Sequence, residues 1–343
     1  MKVLITGDPH LNFGDPGSCE RKAVGNAFLD SFKVAVQHKC EYWIHTGDFV
    51  DGPVGKPDLT PQERTWARKA MLWAESKGVK TMIAPEGNHD IPKVINETWV
   101  SCYSDLHYSV RTYPSVSPLV DCLNFSPLGQ DGAIQFFQKF MADNGPSDAH
   151  RLLIAHMLRE GVHQYVSNRN EVHENWFLDR WCLMLKEKFP NIKVVLGHDH
   201  VPSDHVINGV PVHVIGSPVA MTFGDEHRRR FLIWDSLTGS IETIPLEPYL
   251  KQTVIRSMDE FDQTSLEHFD RVKLDFTVDN ESDRSVIRDA VRGAKTSIKD
   301  HVKMAVDSYE TILEGSLIDR WYTHEKKKVV AERGATLLSE MGA

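Results

Sequence analysis

Thr81-Met82-Ile83-Ala84-Pro85-Glu86-Gly87-Asn88-His89-Asp90 is the stretch that decides the fold. Its short apolar run predicts a buried strand, and Gly87 predicts the turn at which that strand ends. An amide oxygen, an imidazole and a carboxylate then follow in consecutive positions. Because open α/β proteins place functional side chains at the carboxyl ends of buried strands, this stretch predicts one part of a functional site.

Four other predicted strand ends carry side chains of the same kind. These are Asp8 with His10, Asp48 with Asp51, His156, and His198 with His200. Two of these pairs are spaced i and i+2, which places both side chains on one face of an extended segment. Carboxylate, imidazole and amide ligands together suit manganese, iron or zinc better than calcium. Roughly seven ligands are too many for one tetrahedral ion, so the pattern predicts two ions that share a carboxylate.

The apolar spacing also predicts the elements that carry these residues. We expect strands at 2–6, 42–46, 151–155 and 193–196, and helices at 20–39, 61–77, 133–142 and 176–189. Short strands are predicted near 108–113 and 119–125, and three more at 211–215, 231–235 and 240–244. Beyond them, a strand at 272–278, a helix at 283–296 and a strand at 302–306 predict a small α+β unit, followed by helices within 309–338.

The motifs occur in the order Asp-x-His, Gly-Asp-x-x-Asp, Gly-Asn-His-Asp, a single His and Gly-His-x-His, and this order resembles the calcineurin-like metallophosphoesterase superfamily. The resemblance implies an α/β fold in which a two-sheet sandwich is flanked by helices, giving four layers with the metal ions at the strand ends. It assigns one ion to Asp8, His10, Asp48 and His200, and the other to Asn88, His156 and His198, with Asp48 bridging both. It also implies that His89 contacts the scissile phosphate and assists the leaving oxygen, while Asp51 orients His89.

A second resemblance follows Gly197. The segments 214–218, 221–226 and 230–235 resemble the SbcD-type nuclease subunit of double-strand-break repair complexes (the meiotic-recombination-eleven family), of which large phages carry short versions. This resemblance implies a DNA exonuclease and endonuclease of repair or recombination with two divalent ions, for which we expect Mn²⁺, with Mg²⁺, Fe or Zn as alternatives. Its partners would be DNA, an SbcC-type coiled-coil ATPase and a second nuclease subunit, giving a homodimer within a heterotetramer.

The resemblance also suggests three segments. We predict a nuclease domain at 1–248, an α+β domain that caps DNA at 249–308, and a helical tail at 309–343 that binds the ATPase. The alternative is a stand-alone phosphoesterase that acts on cyclic nucleotides or phosphoproteins. The separate cap and tail favour the nuclease, because a small substrate needs neither. A decayed, non-catalytic site is a further alternative, and the complete ligand set argues against it.

Composition limits the location and the partners. No window approaches the ~18 apolar residues of a membrane span, and the apolar run at the amino terminus is too short for a signal peptide, so we expect a cytoplasmic protein, or one of the host cytoplasm if a phage encodes it. The five scattered cysteines contain no C-x-x-C pair, which argues against disulfides and structural zinc. The net charge of −9 argues for only modest non-specific affinity for DNA.

Two groups of basic residues are candidates for contacts with the DNA backbone, which position DNA without reading its sequence. They are Arg64, Arg68 and Lys69 on the predicted helix at 61–77, and the run Arg228, Arg229 and Arg230. The alternative for each group is an ordinary solvated face. His45 lies inside a predicted strand, so we expect it to be packed rather than to bind metal.

Overall fold

The structure, a computed structural model, describes residues 1–51, 59–81, 87, 89–90, 115–117, 119–123, 130–157, 175–223, 228–278, 281–293, 297–300 and 303–304. The chain divides into two compact units, Met1–Gln252 and Thr253–Ala343. The division lies close to the predicted boundary at 248/249, whereas the functions predicted for the cap and the tail remain predictions. Within the described part of the chain, no helix is both long and apolar enough to cross a membrane.

The first unit contains a mixed five-stranded sheet, here called sheet A. Its strands are β1 (Lys2–Thr6), β2 (Tyr42–His45), β3 (Lys80–Thr81), β10 (Arg230–Asp235) and β11 (Ile241–Pro245), in the order β11-β10-β1-β2-β3. Strands β1, β2 and β3 run parallel, whereas β10 is antiparallel to both of its neighbours. The parallel strands therefore bring their carboxyl ends to one edge of the sheet.

The second sheet of this unit, sheet B, has six strands. They are β4 (Ser115–Ser117), β5 (Val120–Leu123), β6 (Arg151–His156), β7 (Ile192–Gly197), β8 (Ser203–Ile207) and β9 (Val210–Val214), in the order β4-β5-β6-β7-β9-β8. Strands β5, β6, β7 and β9 run parallel, and the two edge strands are antiparallel to their neighbours. Strand β6 is buried along its whole length, as a central parallel strand should be.

Helices cover the outer faces of the two sheets. They are α1 (Cys19–Gln37), α2 (Pro61–Ser76), α3 (Gln130–Asp143) and α4 (Asn175–Lys188). Alternate residues of β6 show the layering: Leu152 and Ile154 share a core with sheet A, α1 and α2, whereas Leu153 and Ala155 share one with α3 and α4. The unit thus has the predicted four layers, with the two sheets packed face to face and helices outside.

Helix α2 shows why the local sequence folds as it does. Thr60 caps the helix by accepting a hydrogen bond from the Glu63 backbone N–H, and the Glu63 side chain accepts one from the Thr60 backbone N–H. Pro61 occupies the first turn, where its missing N–H costs nothing. The chain leaves the helix through Gly78 in a left-handed conformation (φ 89°). The helix therefore begins and ends close to the positions that the sequence predicts.

The second unit contains β12 (Gln252–Ile255), β13 (Arg271–Leu274), β14 (Thr277–Val278), β15 (Ser297–Asp300) and β16 (Lys303–Met304), with α5 (Met258–Gln263) and α6 (Glu281–Gly293). Strands β12, β13 and β15 form one sheet, and β14 pairs with β16. A short 3₁₀ helix spans Leu266–His268. Alternate residues Val272 and Leu274 of β13 pack with Ile287 of α6 in a small apolar core. This confirms the α+β character predicted for the segment.

Some elements differ from the prediction. Sequence reasoning missed β8, in which no residue is fully buried, so the polar edge strand lacks the apolar run on which strand predictions depend. It also missed β12 and β15, and the strand predicted at 272–278 is instead two strands, β13 and β14. Within the strand predicted at 302–306, the described residues 303–304 form β16. The predicted strand near 108–113 and the helices within 309–338 lie outside the described residues, as do residues 82–86 of the opening stretch.

Candidate metal centre

The first two motifs meet because β1 and β2 are parallel neighbours. Thr6 pairs with His45 at the ends of these strands, and the pairing continues into the loops, where the backbone N–H of His10 donates to the Asp48 carbonyl at 3.0 Å. The loops after the two strands therefore run side by side. As a result, Asp8 and His10 from one loop lie beside Asp48 and Asp51 from the other.

Sheet B contributes to the same place through β6 and β7. His156 ends β6 and pairs with Gly197, the last residue of β7, and His198 follows directly. A side chain cannot be accommodated at Gly197, because its Cβ would lie 2.5 Å from both Asp8 Oδ1 and Thr46 Oγ1. The backbone N–H of His198 instead donates to Asp8 Oδ2 at 2.8 Å. The two sheets thus meet at this edge, and their strand ends form one site.

Three groups of ligand-type side chains result, each with its donor atoms within 4.8 Å of one another. The groups are Asp8, His10 and His200; His10, Asp48 and His89; and Asp48, His156 and His198. His10 and Asp48 each belong to two groups, so the groups are continuous. The structure therefore brings together six of the seven predicted metal ligands, and Asp48 lies between the two outer groups as a bridging residue would. The seventh, Asn88, lies outside the described residues.

Most of the histidines of these groups are neutral and can bind a metal ion. Burial lowers the pKa of His10 and of His198 to about 3, and that of His200 to about 4. A neutral imidazole keeps a lone pair that binds divalent metals. His10 Nε2 and His200 Nε2 lie 3.1 Å apart, and His198 Nδ1 and His156 Nε2 lie 3.2 Å apart. Pairs of ring nitrogens so placed suit ligands that share an ion.

The buried carboxylates of the site require positive charge beside them. Burial raises the pKa of Asp8 to about 7. Burial would also raise the pKa of Asp48, but His156 holds it well below its usual range. Burial alone would lower the pKa of His156, yet Asp48, whose Oδ2 lies 3.4 Å from His156 Nε2, raises it to about 10. The donors therefore fit divalent cations both in chemistry and in charge.

Backbone conformation also distinguishes the site. His10 (φ 44°), Asp48 (φ 47°) and His198 (φ 79°) adopt the left-handed region, which residues other than glycine rarely occupy. Such conformations cost free energy and persist where the surrounding structure holds them, most often at functional sites. Three of the predicted ligands are therefore held in place at an energetic cost.

His89 belongs to one of the three groups and lies against Asp51, the residue predicted to orient it. His89 Nδ1 and Asp51 Oδ1 are 3.1 Å apart. Burial would lower the pKa of His89, but its contacts with Asp51 and Asp48 raise it above its ordinary value. The Asp51 backbone is held in turn by Asn12, whose side-chain amide donates to the Asp51 carbonyl at 3.0 Å and accepts from the Asp51 N–H.

Three further residues support the site, and sequence reasoning gave no specific role to any of them. One is Asn12, just described. Thr46 is buried and donates from Oγ1 to Asp8 Oδ1 at 2.8 Å. Asp90 is also buried, and accepts from the backbone N–H of Val50 at 3.2 Å and of Gly87 at 2.9 Å, which ties the loop after β2 to the opening stretch. Thr46 directly precedes the Gly-Asp-x-x-Asp motif and Asp90 ends the Gly-Asn-His-Asp motif, and these positions were the available signal.

The basic residues divide into two kinds. Arg229 and Arg230 are only 5% and 8% exposed, so the predicted DNA contacts through them are not supported. Arg229 donates instead to the carbonyls of His200 and Ser217, and Arg230 donates to Asp204, Ser203 and Val214. Charged side chains are seldom buried unless they are paired, and these contacts pair both arginines with acceptors inside the fold. Arg64, Lys69 and Arg228 are exposed, and Arg68 is half-buried.

His45 is packed, as predicted. It is buried between the rings of Trp43, 5.7 Å away, and Phe49, 5.3 Å away, measured between ring centroids. Its Nδ1 accepts a hydrogen bond from the Gly47 backbone N–H. His45 therefore supports the turn before Asp48.

Comparison with solved structures gives similarities at low identity. An archaeal phosphodiesterase shares 16% identity over 72% of this chain and 100% of its own, with a TM-score of 0.39. A dimetal phosphatase from Danio rerio shares 13% identity over 68% of this chain and 91% of its own, with a TM-score of 0.42. A hypothetical protein from Pyrococcus horikoshii shares 15% identity over 72% of this chain and 88% of its own, with a TM-score of 0.38.

Among curated proteins, no significant match to the chain was found. A family model for calcineurin-like phosphoesterases matches residues 1–237. The match covers both sheets up to and including β10, and with them every described residue of the three ligand groups. The chain therefore belongs to the calcineurin-like phosphoesterase family.

Proposed function

We propose that this phosphoesterase is a two-metal DNA nuclease, with exonuclease and endonuclease activity in double-strand-break repair or recombination. The observation that carries the proposal is the set of three ligand groups, which are linked through His10 and Asp48 and include His89. Membership of the family implies a metal-dependent hydrolase. The choice of DNA as substrate is supported by the segments after Gly197 that resemble SbcD-type nucleases.

The ligand groups indicate how the metals would be held. Asp8, His10 and His200 would hold one ion, and His156 and His198, together with Asn88, the other, with Asp48 shared. Two divalent ions in such a site lower the pKa of water and neutralise charge on a phosphate during hydrolysis. We propose Mn²⁺ as the metal, since the mixture of imidazole and carboxylate suits it.

The chain's own residues supply the proton for the leaving group. Because Asp51 lies against Nδ1 of His89, the ring presents Nε2 on its opposite side, where a departing sugar oxygen can accept the proton. Asn12 fixes Asp51 by bonding both its backbone N–H and its carbonyl. Asp51 and Asn12 thus hold the ring of His89, while the His89 backbone N–H donates to Oδ1 of the predicted ligand Asp48 at 2.8 Å.

Replacement of His89 tests this role. The variant His89→Ala should keep its fold and its metal content but lose roughly 10²- to 10⁴-fold in the rate of DNA hydrolysis, the usual contribution of a general acid. Turnover of bis(p-nitrophenyl) phosphate should fall much less, because its leaving group needs little protonation. Mn²⁺ binding is measured by calorimetry as the control. Wild-type turnover of DNA by a variant that still binds metal would exclude His89 from the reaction.

Replacement of Asp48 tests the shared ligand. Asp48→Ala should lose both metal ions, since the carboxylate belongs to two of the three ligand groups. Elemental analysis of purified protein measures this loss directly. Asp143→Ala is the matched control, because Asp143 ends α3 and forms an ion pair, within the described part of the chain, with Lys139 of the same helix. Full metal content in Asp48→Ala would contradict the two-metal site.

The substrate is decided by direct comparison. We expect manganese-dependent cleavage of linear and plasmid DNA, and little hydrolysis of cyclic nucleotides or phosphoproteins. The reverse preference would favour the alternative, a stand-alone phosphoesterase. We also propose an SbcC-type coiled-coil ATPase as partner and a homodimer within the heterotetramer. Copurification with such an ATPase, and stimulation of the nuclease by it, test the partnership.

A further inference from the structure

A single indole on α2 borders two cavities of the first unit. Trp66 is 37% exposed, although tryptophan is usually well buried. On one side lies a cavity of about 420 Å³ between α1 and α2, whose walls include Leu11, Gly25 and Leu59. On the other lies a cavity of about 470 Å³, lined by Pro61, Gln62, Thr65, Trp66 and Lys69. Both volumes fall in the range of small-molecule sites.

The indole is held in place, so little side-chain entropy would be lost when a ligand binds against it. Its ring lies 5.7 Å from that of Phe28, centroid to centroid. Gly25 of α1 lies opposite, and a Cβ there would be 3.7 Å from Trp66 Cη2. A glycine inside a helix costs about 1 kcal/mol relative to alanine. Here Gly25 lines the cavity, and the absence of a side chain leaves space beside the ring.

The charge around Trp66 is positive in a chain whose net charge is −9. Arg21 and Glu63 neutralise one another through an ion pair of 2.7 Å. Lys22 on one cavity and Lys69 on the other are both exposed, and they leave a net positive charge around the indole. An aromatic ring with cations on both sides is complementary to a nucleic-acid strand, in which flat bases alternate with phosphates.

The first cavity begins next to the metal centre. Its wall residue Leu11 directly follows His10, and the Leu11 backbone N–H donates to the Phe49 carbonyl at 3.0 Å in the loop that carries Asp48. Consecutive Cα atoms are about 3.8 Å apart, so the wall of the cavity starts one residue from a predicted ligand. The wall of the cavity and a predicted metal ligand are therefore neighbours in the loop after β1.

We propose that Trp66, with the cavities on its two sides, is a stacking site for unpaired bases of the DNA strand being cut. The proposal rests on the nuclease function proposed above and adds that single-stranded ends are bound through their bases. Stacking on an aromatic side chain contributes roughly 1–3 kcal/mol per base, whichever base it is. The site would thus contribute affinity for single strands without sequence preference.

The test compares two tryptophans of the same helix. Trp73 is 38% exposed and lies seven residues after Trp66 on the same side of α2, yet it borders neither of the two cavities. Affinity for a labelled oligothymidylate is measured in EDTA for wild type, Trp66→Ala, Trp66→Phe and Trp73→Ala. We expect roughly tenfold weaker binding for Trp66→Ala and near-wild-type binding for Trp66→Phe and Trp73→Ala. An oligomer of abasic sites should bind all four proteins equally.

Two further measurements separate the possible outcomes. Turnover of bis(p-nitrophenyl) phosphate should be the same in all four proteins, since it has no base to stack. Equal oligothymidylate affinity for wild type and Trp66→Ala, in a protein that cleaves DNA, would overturn the stacking site and leave the nuclease proposal intact. The molar mass in solution is compared for wild type and Trp66→Ala by light scattering. A lower oligomeric state in Trp66→Ala would mean that a second copy of the chain covers Trp66, which also overturns the proposal. A wild type that neither binds nor cleaves DNA would overturn both proposals.

Discussion

At the scale of single residues, Thr46 holds two ligand side chains at once. Its hydroxyl donates to Asp8 Oδ1 at 2.8 Å, and its backbone carbonyl lies 2.8 Å from His156 Nδ1, which donates to it. The second contact fixes the tautomer of His156 and leaves Nε2 on the metal side. Asp8 and His156 belong to different ligand groups. One residue therefore positions a ligand in each group, one through its side chain and one through its backbone.

This division of roles predicts a selective effect. Thr46→Val removes the hydroxyl but keeps the shape and the backbone carbonyl, so it should weaken the binding of one Mn²⁺ ion and leave the other unchanged. Loss of such a supporting contact typically costs roughly 10- to 100-fold in metal affinity. Calorimetric titration with Mn²⁺ resolves the two binding events. Thr46→Ser restores the hydroxyl and should restore the weakened event.

Thermal unfolding without metal serves as the control for Thr46→Val. The free energy of unfolding should fall by no more than the loss of one buried hydrogen bond, about 1 kcal/mol. Two equally weakened binding events would mean that the substitution disturbs the whole strand end. Two unchanged events would mean that Asp8 does not need the hydroxyl. Either result contradicts the role given to Thr46.

At the scale of elements, helix α1 contains a glycine in its interior. Gly25 has ordinary helical geometry, and among the described residues a Cβ there would meet only Trp66, at a normal van der Waals distance of 3.7 Å. We therefore expect Gly25→Ala to raise the free energy of unfolding by about 0.5–1 kcal/mol, through lower entropy of the unfolded chain and better helix propensity. Urea unfolding measures the difference.

The same substitution at Gly17 should have the opposite sign. Gly17 precedes α1 with φ 87°, a left-handed conformation that alanine adopts only at a cost of about 1 kcal/mol. Because space is available at both glycines, the comparison isolates the backbone conformation. A loss of stability in Gly25→Ala as large as that in Gly17→Ala would show that α1 is not tolerant at residue 25.

The elements also show how far the sequence could predict the fold. Strands β1, β6 and β7 are buried central strands, so their apolar runs were clear, and β1 was predicted at its observed bounds, Lys2–Thr6. The motifs at their ends predicted which ligands converge. Strand β8 was missed because an edge strand alternates between half-exposed and exposed residues and leaves no apolar run. The roles of Thr46 and Asn12 were missed because they depend on contacts between loops.

The arginine run 228–230 shows the same limit of the sequence. Three consecutive cations suggest a solvated or DNA-binding surface, but Arg229 and Arg230 are buried in the first unit. Their burial depends on carbonyl groups far away in the chain, at Ser203 and Ser217. No local pattern contains that information. Charge runs therefore predict exposure only when no distant acceptors are available, and that requires the fold.

At the scale of the whole first unit, Arg230 joins the two sheets. It belongs to β10 of sheet A and donates to β8 and β9 of sheet B, through the carbonyls of Ser203 and Val214 and the carboxylate of Asp204. The Asp204 contact is bidentate, at 2.7 and 2.9 Å. Planar guanidinium and carboxylate groups match in this geometry, which makes such pairs stronger than ordinary ion pairs. The pair therefore links the sheets on the side of β8.

This link predicts how stability changes in acid. The hydrogen bonds from Arg230 lower the pKa of Asp204 to about 2, so the folded protein binds this proton less tightly than the unfolded chain does. The stabilisation is present above about pH 4 and is lost as the pH falls towards 2. About half of the Asp204 side chain is exposed to solvent, which screens the ion pair. Asp204→Asn should therefore lower the free energy of unfolding by about 1 kcal/mol at pH 5, and by less at pH 3.

Chemical denaturation of wild type and Asp204→Asn at pH 5, 4 and 3 measures the difference and its pH dependence. Asp143→Asn is the control, because the ion pair of Asp143 with Lys139 joins two exposed side chains of one helix and should contribute less than about 0.5 kcal/mol at any pH. A difference for Asp204→Asn that stays constant from pH 5 to pH 3 would show that the carboxylate charge does not stabilise the junction. The hydrogen bonds from Arg230 to the carbonyls of Ser203 and Val214 would then hold the two sheets together without it.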